Sequence, residues 1–300
     1  MIESFHVQGF RCLKDTELAL TPLHALIGPN DSGKSTLLKA LLRANMGGLG
    51  PGGLFTMRVD GQGAARLDGG RHFNGRHFDS YSVPLNCRAL RIKPDRAREG
   101  HALLAAPSIE DDGHGLGALY DYILSEDRTA FDAIEATVRE AFPTVDRLWL
   151  PVVEKGKAIG VTLVDGTKVG PNELSEGLLY WLVYKGLDHV RPVDLLLVEE
   201  PENGLHPARI ADVMAVLRRL SEKGTQVVVA THSPLVVNEL RPEEVSIVSR
   251  TVRRGTKAHL MSSIPNVEEL LETYALGELW VTFADGDSDR FLFEPSSAAS

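Results

Sequence analysis

At 300 residues, with 43% apolar and 24% charged side chains and a net charge of −9, the chain can bury one large core or two lobes. No window holds 18 consecutive apolar residues, which excludes a membrane-spanning helix. Met1 to His6 carry neither a basic nor an apolar secretory region, and the two cysteines, Cys12 and Cys87, supply neither a zinc cluster nor a disulfide framework. A cytoplasmic location is therefore expected. The acidic balance argues against a surface uniformly covered by nucleic acid but leaves room for a local basic patch.

Residues 2–27 read as a β-rich opening. Phe5, Val7 and Phe10 mark a first strand, Gly9 a bend, and Leu18 to Leu20 a second strand. Thr21-Pro22 turns the chain into Leu23 to Ile27, a short buried strand. The next nine residues, Gly-Pro-Asn-Asp-Ser-Gly-Lys-Ser-Thr from Gly28 to Thr36, fit G-x-x-x-x-G-K-[ST] without a mismatch, and a helix is expected over Thr36 to Arg43. A glycine-rich turn between a strand and a helix is a P-loop. Its backbone N–H groups point inward, and the helix N-terminus adds partial positive charge, so phosphates suit it. Gly28, Asn30, Asp31, Ser32, Gly33, Lys34, Ser35 and Thr36 are the nucleotide-binding candidates. Lys34 is expected to reach the β- and γ-phosphates and the Ser35 hydroxyl to hold Mg²⁺.

Five glycines and a proline within Gly47 to Gly53 cannot continue a helix and mark an exit from the first lobe. Residues 54 to about 100 read as glycine-rich and irregular. From Arg58 to Arg98 nine Lys/Arg face four Asp, a local charge of +5 that leaves −14 for the rest. A DNA-facing surface and a solvated face of short strands both fit this segment. Leu116, Leu119, Tyr120, Ile123 and Leu124 form one helical stripe, and Phe131, Ile134, Val138 and Phe142 a second that Pro143 stops. Both stripes read as core. Leu148, Leu150 and Val152 alternate, as do Ile159, Val161 and Leu163, with Lys155-Gly156-Lys157 between them, so a hairpin is expected. Asp165-Gly166 makes another turn.

Three motifs follow. Leu174-Ser175-Glu176-Gly177 precedes an apolar helix from about Leu178 to Asp188. Val193 to Glu200 is a buried strand ending in two carboxylates. Gln226 to Ser233 is another, ending at His232. Between the two strands an amphipathic helix buries Ile210, Val213, Met214, Val216, Leu217 and Leu220, with Gly224 at its exit.

Each motif is weak alone, but their order after the P-loop resembles the ABC-type ATPase head, closest to the RecF, SMC and OLD (overcoming lysogenisation defect) group. The likeness covers roughly residues 1–275. It is carried by Gly28 to Thr36, Leu174 to Gly177, Leu197 to Pro207 and Val229 to Pro234. Glu199-Glu200-Pro201-Glu202-Asn203-Gly204-Leu205-His206-Pro207 is similar to a run in OLD-like and related bacterial AAA-labelled ATPases. The fold implied is α/β: a P-loop NTPase head with a mixed β-sheet core flanked by helices and an inserted α+β second lobe. The lobes expected are 1–48 (ATPase lobe, first part), 49–170 (inserted lobe), 171–275 (ATPase lobe, second part) and a tail at 276–300.

The resemblance implies ATP and Mg²⁺ as cofactors and ATP hydrolysis as the reaction. Glu199, with Ser35, stands where such heads hold the metal, although an Asp is usual there and Glu is one methylene longer. Glu200 takes the place of the carboxylate that polarises the attacking water. His232 resembles the switch histidine at the γ-phosphate, beside Lys34 in the catalytic set. Ser175 and Gly177 resemble the signature that completes the site of a second subunit, so an ATP-dependent homodimer is expected, with the loop Asn203 to His206 crossing its interface. Leu-Ser-Glu-Gly in place of Leu-Ser-Gly-Gly-Gln favours the DNA-repair and phage-defence branch over transporter subunits. Gln62 is the one candidate by position for the glutamine that links Mg²⁺ to the second lobe, and Arg11 is a candidate for approaching the phosphates. Phe283 to Asp289 has a faint likeness to the opening of a TOPRIM nuclease domain and reads as chance likeness in a tail that ends too soon for one. The functions that fit are a dimerising ATPase switch acting on DNA or a partner, a nucleotide-sensing module for a partner nuclease or toxin, and a transporter ATPase subunit. No membrane association is expected.

Overall fold

Three strands without a polar face set the centre of the fold in the computed structural model, which describes residues 1–45, 54–59, 63–68, 85–103 and 105–284, with the backbone alone for 63–68 and 282–284. Leu23–Ile27, Leu195–Glu199 and Gln226–Thr231 are buried along almost their whole length. Runs of this kind suit a parallel sheet covered on both sides. The strands pair in parallel, with Val229 opposite Val198 on one side and Ala25 on the other. The complete sheet runs Gly255–Leu260, Val245–Thr251, Leu23–Ile27, Gln226–Thr231, Leu195–Glu199, Cys87–Leu90. Its first pair is antiparallel, so the sheet is mixed, as expected.

A second, antiparallel sheet has the order Leu13–Ala19, Ile2–Phe10, Leu54–Val59, Gly63–Asp68. The P-loop helix, Lys34–Asn45, lies between the two sheets. Leu37, Leu38, Ala40, Leu41 and Ala44 share one core with Phe5, Val7 and Phe55 of the antiparallel sheet and Leu26, Leu197 and Val228 of the mixed one. Phe55 stacks on Phe5 at 6.1 Å and meets Phe10 edge-on at 5.6 Å. Each large apolar side chain buried here contributes about 1.5–3 kcal/mol, and Leu41, fully buried, is worth about 2–5 kcal/mol against alanine.

One polar side chain ties the two sheets together, and another pins neighbouring strands of the mixed sheet. Gln226 is buried; its Oε1 accepts from Ile2 N at 2.8 Å, and its Nε2 donates to the carbonyls of Ile2 (2.8 Å) and Thr21 (3.2 Å). His24 is also buried, with ring nitrogens 2.9 Å from Ser246 Oγ and 3.1 Å from Thr21 Oγ1. Burial pushes its pKa down to about 4, against the weaker pull of Glu244.

The chain forms two compact units: Met1–Ala89, Val193–Pro201 and Leu220–Ser300 in one, Leu90–Pro192 and Glu202–Arg219 in the other. In the second, helices Leu116–Glu126, Arg128–Ala141 and Glu176–Gly186 surround fully buried Tyr120, Trp181 and Tyr184. Gly117 is required there, because a Cβ would lie 2.4 Å from the Ala158 backbone. Val145–Trp149 pairs with Gly160–Leu163, and a small hairpin of Val152–Val153 and Gly156–Lys157 sits inside the expected one.

The described parts of residues 54–100 correct the expectation of irregular chain, since they contain strands Leu54–Val59, Gly63–Asp68 and Cys87–Leu90 and helix Pro94–Arg98. Phe55, Met57 and Val59 carry a period-2 signal that the flanking glycines mask. The helix expected over Thr36 to Arg43 begins two residues earlier and ends two later. Gln62, the glycine run 47–53, and 285–289 lie outside the described residues.

Candidate nucleotide site

The P-loop leaves the buried strand Leu23–Ile27 and turns within six residues into the helix at Lys34. Two residues with positive φ make that turn, Asp31 at 64° and Gly33 at 110°. Glycine is needed at Gly28 for a different reason, since a Cβ there would lie 2.2 Å from the Val248 carbonyl oxygen. Lys34 is buried and folds back on the loop: Nζ donates to the carbonyls of Gly28 at 2.6 Å and Pro29 at 3.0 Å. Such carbonyls are weaker partners for an ammonium than a phosphate oxygen.

Thr256, on the antiparallel edge hairpin, braces this turn. Its Oγ1 donates to the Ser32 carbonyl at 2.9 Å, and its own carbonyl accepts from Thr16 Oγ1 at 2.7 Å. Both threonines are fully buried.

Strand Leu195–Glu199 delivers the carboxylates. Glu199 Oε1 accepts a hydrogen bond from Ser35 Oγ. Glu200 keeps its N–H on the neighbouring strand, donating to Ala230 O at 2.7 Å, and then turns left-handed at φ 52°. A non-glycine residue in that region costs on the order of 1–3 kcal/mol and persists where surrounding contacts hold it. Here the side chain is also held, with Oε2 hydrogen-bonded to Nδ1 of His232 at the end of Gln226–Thr231. Ser233 N donates to Thr231 Oγ1 at 2.9 Å, fixing the turn that presents the half-exposed histidine.

A cleft of about 510 Å³ is lined by Cys12, Asn30, Asp31, Gly33, Lys34, Ser35, Thr36, Glu200 and Arg250. Its size is that of a small-molecule site. Six of the eight P-loop candidates thus meet Glu200 in one cleft. Gly28 and Ser32 are buried. Arg11 lines an adjoining depression of about 460 Å³ with Lys14, Asn30, Asp31, Ser32 and Arg250. Ser175 and Gly177 belong to the other unit. Ser175 is exposed and caps helix Glu176–Gly186, accepting from Leu178 N at 3.3 Å, and Gly177 passes so close to the Gly204 carbonyl that a Cβ would lie 2.8 Å from it. Asn203 and His206 are exposed.

The oxygens of Ser35 and Glu199 are hard donors of the kind Mg²⁺ prefers, and they already touch, so the residues present fit that ion. Arg250, Cys12 and Thr256 are additions that no local motif announces. The basic segment is partly spent internally: Arg96 pairs with Glu99 and Asp112, each at 2.9 Å, and Arg98 with Asp95 at 3.1 Å.

A P-loop helix packed between two sheets, with an acid-ended and a histidine-ended strand beside it, defines an ABC-type P-loop ATPase head. The chain belongs to the family described as "AAA domain, putative AbiEii toxin, Type IV TA system", whose model matches residues 89–238; the model of an "AAA ATPase domain" matches residues 1–44. Among curated relatives, an OLD nuclease of Thermus scotoductus is 49% identical over 41 residues, 14% of this chain and 8% of that protein. The chain thus spans a small part of that relative's length. The cell division ATP-binding protein FtsE of Mycobacterium tuberculosis is 25% identical over 229 residues, 76% of this chain and 80% of the relative.

Among solved structures, an SMC head bound to the C-winged helix domain of ScpA superposes with a TM-score of 0.56 at 18% identity, covering 86% of this chain and 97% of that one. An SMC head with an extended coiled coil, bound to the C-terminal domain of ScpA from Pyrococcus furiosus, gives 0.53 at 15%, covering 91% and 99%. These likenesses establish the fold of an SMC-type head. Families of this type hydrolyse ATP and typically use Mg²⁺. No helix among the described residues is long and apolar enough to cross a membrane.

Proposed function

We propose that this chain is an ATP-driven switch of the cytoplasm that binds ATP at the P-loop, pairs with a second copy through Ser175 and Gly177, and resets by hydrolysis. The convergence of Lys34, Ser35 and Glu200 on one cleft, with Glu200 hydrogen-bonded to His232, is the observation that carries the reading. In this scheme Lys34 trades its loop carbonyls for the β- and γ-phosphates. Ser35 and Glu199 hold Mg²⁺, which when bound supplies charge neutralisation at the phosphates. Glu200 accepts the proton of the attacking water, and His232 keeps that carboxylate aimed and reports on the γ-phosphate. The exposed Ser175 and the helix N-terminus behind it suit a phosphate presented by a second copy. The work done is proposed to lie in DNA maintenance or phage defence.

Glu200→Gln tests this. ATP should still bind, hydrolysis should fall about a hundredfold or more, and the blocked protein should accumulate as an ATP-dependent dimer in light scattering. Ser175→Arg in the same background should return it to monomer. Normal hydrolysis by Glu200→Gln would reassign the base; an inert variant that stays monomeric with ATP would transfer the second half-site to a partner protein. The family's toxin–antitoxin description, and the ScpA domains bound to the SMC heads, favour a second reading in which nucleotide occupancy signals to a partner nuclease or toxin. Pull-downs without nucleotide, with ATP and with ADP separate both readings from a transporter subunit by partner identity. The FtsE likeness supports a transporter-type subunit only weakly, at 25% identity.

A further inference from the structure

The loop ahead of helix Leu116–Glu126 brings together three groups that the ATPase scheme does not use. The candidate ligand atoms of His101, Glu110 and His114 lie within 4.8 Å of one another. His114 Nδ1 is 3.1 Å from Glu110 Oε1, and the two imidazole rings meet edge-on at 4.9 Å between centroids. We propose that His101, Glu110 and His114 form a binding site for a late first-row divalent metal ion, Zn²⁺ foremost.

Two imidazoles and one carboxylate are the donor set that borderline ions such as Zn²⁺ select over Mg²⁺ or Ca²⁺. One ring nitrogen has its outer partner in place and the other has a carboxylate nearby. His101 Nδ1 is 2.7 Å from the Ala102 carbonyl, which fixes the proton on Nδ1 and leaves the Nε2 lone pair free to ligate. His114 Nε2 is buried and makes no hydrogen bond among the described residues, yet Glu99 Oε2 stands 4.0 Å away. Coordination through Nδ1 makes Nε2–H a donor, and a small ring rotation brings it onto that carboxylate.

The backbone holds both ends of the site. His101 exchanges two main-chain hydrogen bonds with Lys157, at 2.9 and 2.8 Å, and Glu110 N donates to the His114 carbonyl at 2.9 Å. Tetrahedral ligands about 2.0–2.1 Å from zinc are roughly 3.3 Å apart, so closure from separations within 4.8 Å needs side-chain adjustments of up to about 1.5 Å. Charge also favours a cation. Glu99, Glu110 and Asp112 face the Arg96 guanidinium and the exposed Lys155 ammonium, which leaves one negative charge uncompensated. Arg96 holds Glu110 only at 3.7 Å and Glu99 and Asp112 at 2.9 Å, so Glu110 is the carboxylate most easily released to a metal. Three protein ligands leave one position for water, and Glu110, half-exposed, gives the ion a way in. The bound ion would staple the Glu110–His114 turn to the Gly156–Lys157 strand that His101 pairs with.

The test uses the whole chain, freed of metal by chelation, in a His232→Ala background so that added metal cannot lodge against Glu200. Titration with Co²⁺ should give the intense visible bands of a four-coordinate ion at one equivalent, and Zn²⁺ should displace it. His101→Ala and His114→Ala should each weaken binding more than a hundredfold, and Glu99→Gln about tenfold, as loss of an outer partner does. Glu110→Gln, at an exposed position, keeps both imidazoles and should still lose the four-coordinate spectrum if the histidine variants fold poorly. Zn²⁺ should raise the melting temperature of the parent but not of His101→Ala. No binding at micromolar metal, or binding by His101→Ala and His114→Ala equal to that of the parent, overturns the site. The ATPase assignment is untouched by either result, since the readouts need no nucleotide.

Discussion

Thr256 Oγ1 donates to the main-chain carbonyl of Ser32 at 2.9 Å, so a residue 224 positions down the chain holds the floor of the P-loop. Thr256→Val keeps the volume and removes the donor, leaving a buried carbonyl unpaired at a cost of about 1–3 kcal/mol. Part of that cost falls on the geometry of the loop. ATP affinity measured by calorimetry should drop several-fold while the circular dichroism spectrum is unchanged. Unaltered affinity would show that the loop holds its shape without the brace.

Lys34→Ala removes the one ammonium seated among the P-loop carbonyls. ATP binding should collapse, because the charge opposite the β- and γ-phosphates is gone. The fold should persist, since Leu37, Leu38 and Leu41 still anchor the helix. Unchanged binding in the calorimeter would contradict the assignment of the cleft.

His24 makes stability depend on pH. Its folded pKa lies near 4 and its unfolded value near 6.5, so between these values the unfolded chain takes up a proton that the folded chain refuses. The contribution is whole above pH 6.5, falls as the pH drops through the window, and has gone by pH 4. The loss amounts to about 3 kcal/mol. Urea midpoints at pH 7 and pH 4.5 should differ less in His24→Gln than in the parent; equal differences would place the acid sensitivity elsewhere.

If the segment around Arg88, Arg91 and Lys93 meets DNA, charge reversal of the three should weaken binding similarly for all sequences, and the affinity of the parent should fall steeply with salt. Absence of binding at low salt, with and without ATP, would favour the protein-partner reading. Arg96 and Arg98 are poorer candidates for reversal, because their guanidinium groups already serve Glu99, Asp112 and Asp95.

The parallel strands were legible because burial on both faces leaves apolar runs: Leu195 to Val198 and Val227 to Ala230 are unbroken, and Leu23 to Ile27 is interrupted only by the buried His24. The P-loop was legible because its chemistry is local, nine residues with no partner needed to recognise them. Cys12 and Arg250 reach the cleft, and Thr256 the P-loop carbonyl of Ser32, only through the fold, and nothing near them in the chain marks that destination. Strand Leu54–Val59 was obscured for a related reason. Its pairing with Ile2–Phe10 rests on the stacking of Phe55 on Phe5, fifty residues apart, whereas its neighbours in sequence are glycines that suggest a loop.

The three hydrogen bonds of Gln226 have a consequence for birth on the ribosome. Ile2 emerges before Gln226, and the side chain that fastens it, with the strand that flanks Leu23–Ile27, is made about two hundred residues later. At roughly 5–20 residues per second that interval is on the order of tens of seconds. Throughout it the nascent N-terminal strands and the P-loop helix have no mixed sheet to cover them. Apolar side chains such as Leu37 and Leu41 are therefore open to chaperones, and the nucleotide pocket can close only after strand Gln226–Thr231 has been made.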